Sequence, residues 1–503
     1  MTILTPIFAQ DSDRVAILAG KQVITYGRLC EDIDSMAHWL FDSGLEPGDR
    51  ITIHVNNVAN PDYWDWIMHL GAIRAGLVHS TGAMPPQIAR TGALGPYKAA
   101  VGHLADLAKQ ANPELKLEMA LSGSTPLSKQ VDFKKSRRKL DKLEEKAVRL
   151  LGTSGTTGRP KVISWDAPMI EARLKQVREI GGMNADTKLF CGLGLITTTG
   201  LRYPLAGWQI GALVILSGIG EDRTEIADAV GQSTFLAASP FRMQGFLRST
   251  KGDWPDKDKR IVELFGGRVP PGLHEQVLKR CCDTLLMSYG ATEVGRVACG
   301  ETSLIERHSG AVGMIQPGIT VEIVNREFKP VEPGEIGIVR MKSDFMIEGY
   351  IGQPAKPGPR APLRDGWFYP GDFGILYEDG MFAITGRLTD TLNVAGAKIS
   401  PIAIEDKIGQ LPEIEDCCAM ALQLDSGDVL TIAVVVGDDV VMKDVRQKVA
   451  RALPKGFPFS MIRMGKIPRN AMGRIPRGQV TKMVTARAKK LQEERRAATP
   501  KDD

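Results

Sequence analysis

The sequence predicts a large N-terminal α/β domain of layered sheets with a β subdomain, followed by a small α+β domain. Three stretches carry that prediction. Residues Ile24 to Val78 read as strand, helix, strand and helix, the order that builds a parallel sheet with helices packed on it. Val321 to Ser343 alternates apolar and polar residues around a turn at Pro333-Gly334, as antiparallel strands do. Past Pro401 the pattern becomes a helix, two apolar strands and a charged helix. At 503 residues the chain has room for more than one domain. With 43% hydrophobic and 24% charged residues, it reads as globular rather than disordered.

The start, MTILTPIFAQDSDR, lacks the basic first residues and the long apolar core of a signal peptide. No apolar run approaches the roughly 18 residues that span a bilayer. The 7 cysteines are odd in number and form no CxxC pair, which predicts reduced thiols and a cytoplasmic protein. ITYGRLCEDIDSMAHWLFDSG has helical apolar spacing and stops at Gly44. LEPGDRITIHV gives a turn and a strand, and WDWIMHLGAIRAGLV a second apolar helix. Lys134 to Arg149 is densely charged and reads as a solvated helix or surface loop.

The next stretch, Gly152 to Lys161, reads GTSGTTGRPK and lies between two strands. Its glycines leave backbone amides free to converge on an anion. Thr153, Ser154, Thr156 and Thr157 add hydroxyl donors, Gly155 and Gly158 keep the loop open, and Lys161 adds a mobile positive charge. The pattern suits a triphosphate, or else a flexible connector. It differs from GxxxxGK[ST], because Pro160 precedes Lys161.

Further along, MSYGATEVG spans Met287 to Gly295. Together with GTSGTTGRPK, in that order, it resembles the adenylate-forming superfamily of acyl-CoA synthetases, firefly-luciferase-like enzymes and peptide-synthetase adenylation domains. The resemblance covers nearly the whole chain. It implies a luciferase-like fold and an ATP-dependent ligase that activates a carboxylic acid as acyl-AMP. The acyl group then passes to a thiol, most readily coenzyme A, alternatively a carrier protein. A nucleotide-binding relative that has lost ligase activity is the remaining alternative.

The resemblance also assigns roles. Tyr289 and Gly290 would meet adenine, with Gly266, Gly267 and Arg268 supplying backbone beside it. Thr292 and Glu293 would serve catalysis, Glu293 as the Mg²⁺ ligand, since a carboxylate is a hard oxygen donor. Asp372 would accept both ribose hydroxyls and Arg387 would help bind the ribose. Thr197, Gly200, Arg202 and Ala238 would line the carboxylate pocket. Thr197 departs from the usual His or aromatic residue. Arg202 would meet a second acidic group on the substrate or lie at the surface, and the surface is the expectation.

The same resemblance sets the boundaries. Residues 1–387 form the large domain, 388–391 a hinge around Thr389, 392–485 a small mobile domain, and 486–503 a basic, frayed tail. Gly396 and Lys398 would enter the site for the second half-reaction. PRNAMGR aligns Arg474 with the family's catalytic lysine, while a second register around GKIPR favours Lys466; Arg474 is preferred. Arginine is wider and forked, so its geometry between two anions differs from that of lysine.

Net charge is +5, yet Arg446 to Asp503 carries 16 Lys/Arg against 4 Asp/Glu, or +12, leaving −7 for the rest. A basic end on an acidic body suggests an anionic partner, or else a solvated helix face. Coenzyme A phosphates would suit Arg463, Lys466, Arg469 and the tail. Nucleic acid is disfavoured, because no aromatic residues are interleaved for base stacking. The identity of the acid and the oligomeric state are not legible.

Overall fold

A computed structural model describes residues 3–54, 62–81, 98–102, 117–119, 139–140, 142–153, 161–179, 182–216, 223–250, 252–267, 269, 271–305, 307–308, 310–351, 361–387, 392–394, 397–399, 401–424, 427–453, 458–469 and 475–498. The chain begins with α1 (Thr5–Phe8), β1 (Val15–Ala19), β2 (Gln22–Thr25) and α2 (Tyr26–Asp42). Thr25 caps α2 by accepting a hydrogen bond from the amide of Arg28. Next come β3 (Arg50–His54), α3 (Tyr63–Arg74), β4 (Val78–Thr81), β5 (Ala99–Gly102), β6 (Leu117–Met119), β7 (Val148–Thr153) and β8 (Lys161–Asp166). Asp62 and Asp65 form a capping box on α3. The helix stops at Arg74, short of the Val78 to which the apolar run extends. Gly76 ends it with φ +67°, where a Cβ would lie 2.3 Å from the carbonyl oxygen of Leu143.

β3 to β8 form a sheet in the order β6-β5-β3-β4-β7-β8. Its pairs are parallel except β7–β8, a hairpin in which Thr153 faces Lys161. The phosphate-loop motif therefore begins and ends on one antiparallel edge pair.

The chain continues through α4 (Ala167–Arg178), β9 (Lys188–Cys191), α5 (Thr198–Gln209), β10 (Leu213–Leu216), α6 (Arg223–Gln232), β11 (Phe235–Ala238), α7 (Pro240–Ser249), β12 (Ile261–Phe265), α8 (Pro271–Arg280), β13 (Thr284–Ala291) and β14 (Gly295–Glu301). After α9 (Thr302–Ile305) come β15 (Ala311–Ile315), β16 (Ile319–Val324), β17 (Gly337–Ser343), β18 (Leu363–Arg364), β19 (Trp367–Phe368), β20 (Asp372–Leu376) and β21 (Met381–Arg387). With β1 and β2 these strands make one 15-stranded sheet. It is parallel from β1 through β10, β9, β11 and β12 to β13, and antiparallel from β13 onward. Trp66 of α3 and Trp208 of α5 meet edge to face at 4.9 Å, both buried, and join the two layers. Such a contact adds about 0.5–1.5 kcal/mol beyond its area.

The last part contains β22 (Leu392–Val394), β23 (Ala397–Ile399), α10 (Pro401–Ile408), β24 (Ile414–Leu424), β25 (Gly427–Val436), α11 (Met442–Ala452), β26 (Phe459–Arg463) and α12 (Arg477–Ala498). β24, β25 and β26 form a separate three-stranded sheet with its own apolar clusters. The α+β pattern read from the sequence is present. α12 runs to Ala498, so the segment expected to fray after 485 is helical over most of its length. Among the described residues no helix is long and apolar enough to cross a membrane. All seven cysteines are free.

In the charged stretch before the phosphate loop, Lys139, Lys142, Glu145 and Lys146 are exposed as expected, but two charged residues turn inward. Glu144 is buried and accepts a hydrogen bond from the amide of Leu4. Arg149 is fully buried on β7. It reaches His69 Nδ1 at 3.0 Å, the carbonyl of Leu195 at 2.9 Å, and Thr81. A charge run says nothing about which of its members a parallel strand carries inside.

Candidate active site

Tyr289, Gly290, Thr292 and Glu293 lie at the end of β13 and in the turn to β14, where the sheet changes from parallel to antiparallel. Gly290 has a firm structural reason. A Cβ there would sit 2.4 Å from the carbonyl oxygen of Gly295 across the hairpin. Thr292 is half-buried in the turn.

Two groups of side chains flank this turn. On one side, the Tyr289 hydroxyl donates to Asp372 Oδ2 at 2.5 Å, and Arg387 Nε donates to Asp372 Oδ1 at 2.7 Å. Asp372 is buried, and β20 and β21 set it directly opposite Arg387. The sequence assigned these three residues to the nucleoside, and they come together.

On the other side, the Lys161 ammonium lies 4.5 Å from the Tyr350 ring centroid. The Tyr350 hydroxyl donates to Glu293 Oε1 at 2.8 Å. Burial lowers the Lys161 ammonium below the ordinary lysine range, and Glu293 opposes that shift. Burial, then Glu293, pushes the Tyr350 hydroxyl upward, so it stays a donor. Arg173 holds the Glu293 backbone oxygen at 3.1 Å while stacking on Trp165 at 4.3 Å. Neither Tyr350 nor Arg173 carried a signal in the sequence. Both are single residues in unremarkable surroundings, positioned by contacts remote in the chain.

Glu293 suits Mg²⁺ shared with phosphates. It is a buried hard-oxygen donor, and Mg²⁺ in such sites takes one or two carboxylates plus phosphate oxygens. Among the described residues there is no cluster of three or more metal-ligating side chains that would cage an ion alone.

The other expected pocket residues cluster near β11, β12 and α5. Ala238 ends β11, fully buried, and Gly266 and Gly267 follow β12. Thr197 caps α5: its hydroxyl accepts from the amide of Gly200 at 2.9 Å and donates to the carbonyl of Gly194 at 3.0 Å. Arg202 corrects the expectation of a surface arginine. It is buried, because α5 packs between layers, and its Nε donates to the carbonyl of Thr198 at 3.3 Å. Burial pulls its guanidinium below the ordinary arginine range.

Below it lies a polar network that the sequence did not reveal. Glu263 accepts hydrogen bonds from Tyr203 at 2.6 Å and Ser288 at 2.6 Å, and pairs with Arg296 at 2.9 Å. Glu263 sits in an apolar strand, IVELF, where a lone carboxylate gives no warning of its partners.

Just after β26, Lys466 is exposed. Arg469 pairs with Asp416 at 2.6 Å and lies 5.1 Å from the ring centroid of Phe241 on α7. Arg463 pairs with Asp438 at 2.9 Å. Both arginines expected to meet phosphates are thus engaged in ion pairs. Ser154, Gly155, Thr156, Thr157, Gly158, Arg268, Thr389, Gly396 and Arg474 lie outside the described residues, as do the side chains of Thr153 and Lys398.

Residues 7–351 match the family described as AMP-binding enzyme. A salicylyl-CoA synthase / salicylate adenylyltransferase of Streptomyces sp is 25% identical over 524 residues, covering 95% of this chain and 92% of that protein. A 3-hydroxybenzoate–CoA/4-hydroxybenzoate–CoA ligase of Thauera aromatica is 28% identical over 354 residues, 67% of this chain and 66% of the relative. A long-chain-fatty-acid–CoA ligase of Salmonella typhimurium is 25% identical over 342 residues, 65% of this chain and 60% of the relative. The latter two matches thus span less than two thirds of those proteins.

Among solved structures, ATP-bound MatB from Rhodopseudomonas palustris superposes with a TM-score of 0.78 at 21% identity, over 96% of this chain and 99% of that one. o-Succinylbenzoate coenzyme A synthetase (MenE) from Bacillus subtilis, in complex with ATP and magnesium ion, gives 0.77 at 18% identity, over 95% and 98%. These likenesses show the luciferase-like α/β fold expected from the sequence. With more than half of its length matched by the family, the chain belongs to the AMP-binding enzymes.

Proposed function

We propose that the chain is an ATP-dependent carboxylic acid ligase of the acid–thiol, AMP-forming type, acting on a small-molecule carboxylic acid, with coenzyme A as the thiol. One observation supports this above the others. The Tyr289–Asp372–Arg387 group and the Lys161–Tyr350–Glu293 group flank the same turn, so one nucleotide could span both.

In the first half-reaction a carboxylate oxygen of the acid attacks the α-phosphorus of ATP. The bond from that phosphorus to the bridging oxygen breaks, and pyrophosphate leaves. Asp372 and Arg387 hold the ribose and Tyr289 lies against the adenine. Lys161 neutralises phosphate charge as it spreads to the leaving group, with Thr153 to Gly158 donating to phosphate oxygens. Glu293 would hold Mg²⁺, which supplies further charge neutralisation, and Tyr350 orients that carboxylate. Arg474 would approach the reacting carboxylate from the small domain. In the second half-reaction the small domain turns about the segment near Thr389. The thiol sulfur, having lost its proton, attacks the acyl carbon, and AMP departs. Lys398 and Gly396 border that step. A carrier-protein thiol in place of coenzyme A is the second acceptor to test.

The test is pyrophosphate release from Mg-ATP across a panel of acids, with and without coenzyme A. Acid-dependent release, a thioester product and stimulation by coenzyme A are expected. Release without a thioester would transfer the reading to another acceptor. ATP binding with no acid-dependent release across the panel would sink it.

A further inference from the structure

The floor beneath the YGATE strand carries a charge imbalance. Three guanidinium groups meet there: Arg202 lies within electrostatic reach of Arg173 and of Arg296. The carboxylates near them are Glu263 and Glu293. Glu263 is already engaged by Tyr203, Ser288 and Arg296. Glu293 is engaged by Tyr350, and its charge acts on Arg173 and Lys161.

Arg202 is 9% exposed and Arg296 5% exposed, and the Nη1 of each is buried without a hydrogen-bond partner. A buried guanidinium with an unmade hydrogen bond is costly, because it has lost water and gained no acceptor. Arginine is also the side chain whose planar fork best matches a carboxylate. Arg202 stands on the first turn and a half of α5, next to Thr197 and Gly200, where the substrate acid is expected.

We propose that Arg202, backed by Arg296, anchors a second carboxylate on the acid, so that the substrate is a dicarboxylic acid activated at one end only. This rests on the ligase reading above. The second carboxylate completes the fork of Arg202 and balances the third guanidinium. A monoacid of the same size leaves both Nη1 groups without an acceptor, and the site discriminates against it for that reason.

The experiment compares succinate with butyrate, glutarate with valerate, and phthalate with 2-methylbenzoate. Pyrophosphate release is measured for the wild type, Arg202→Met and Arg202→Lys, and melting temperatures are taken with each acid in the absence of ATP. The wild type is expected to favour the diacids in kcat/KM. Arg202→Met should lower the diacid-to-monoacid ratio about tenfold to a hundredfold, the range for losing a charge-assisted hydrogen bond, and Arg202→Lys should recover part of it. A wild type that treats diacid and monoacid alike overturns the proposal. So does an Arg202→Met enzyme that loses both equally, since that is the mark of a structural role. If no acid releases pyrophosphate, the ligase reading fails by itself. Melting then decides the anion site: a diacid-dependent rise that Arg202→Met abolishes upholds it, and no rise overturns it.

Discussion

Glu293 and Lys161 are joined through one ring, that of Tyr350, which gives its hydroxyl to the carboxylate and its face to the ammonium. Removing that hydroxyl leaves the ring in place, so Tyr350→Phe separates the two contacts. We expect Tyr350→Phe to reduce acid-dependent pyrophosphate release about tenfold, the cost of one hydrogen bond to a charged group, and to raise the Mg²⁺ concentration needed for half-maximal rate. Glu293→Gln should cut the rate more steeply, because it removes the charge itself. Equal rates for Tyr350→Phe and wild type at limiting Mg²⁺ would show that the hydroxyl does not orient the ligand. Lys161 and Glu293 were legible in the sequence because each sits in a motif whose residue types match phosphate or metal chemistry. Arg149 and Arg296 were not, and Arg202 was legible as a pocket candidate but not as a buried one. A charged side chain reads as solvated until its neighbours are known, and those neighbours come from distant strands.

The N-terminus of α5 depends on Thr197, which closes its first turn through Gly200. Thr197→Ala should destabilise the protein by about 1 kcal/mol in urea unfolding, while Thr197→Ser should stay close to wild type. An alanine variant as stable as wild type would mean that the hydroxyl is not acting as a cap. The resemblance implies an imidazole or aromatic ring at this position, so the sequence marked Thr197 as a departure without revealing its capping work. Most helices and strands were legible from apolar spacing and end signals: α2 from Thr25 to Gly44, β7 and β8 around the glycine loop. Where the reading failed, the cause was a boundary that packing decides. The apolar run after Arg74 continues as strand β4, because Gly76 takes a left-handed turn against the Leu143 carbonyl.

Taken whole, the molecule hides two histidines, His69 and His79, fully buried with rings 5.4 Å apart beside Arg149. Burial first, and Arg149 next, hold both imidazoles far below the ordinary value of 6.5. In the unfolded chain each binds a proton as pH falls through that value; in the folded protein neither does until much lower. The stability they support is therefore complete above about pH 6.5 and declines below it, by up to about 1.4 kcal/mol per pH unit for each histidine. Urea midpoints at pH 7.5, 6.5 and 5.5 should show that decline, and His79→Gln should lessen its slope; an unchanged slope in the variant would remove His79 from the account. At this scale composition revealed the basic end of the chain but not its internal neutralisation, in which Arg463, Arg469 and Arg477 pair with Asp438, Asp416 and Glu405. Pairing is a property of the fold, not of a charge count. Asp372 bears on how such a protein can be recombined. It is held by Tyr289 from the parallel half of the large sheet and by Arg387 from the antiparallel half. Exchanging residues 302–387 with a homologue would transplant one jaw of a clasp, and the hybrid would keep that clasp closed only where the incoming acid meets the resident tyrosine.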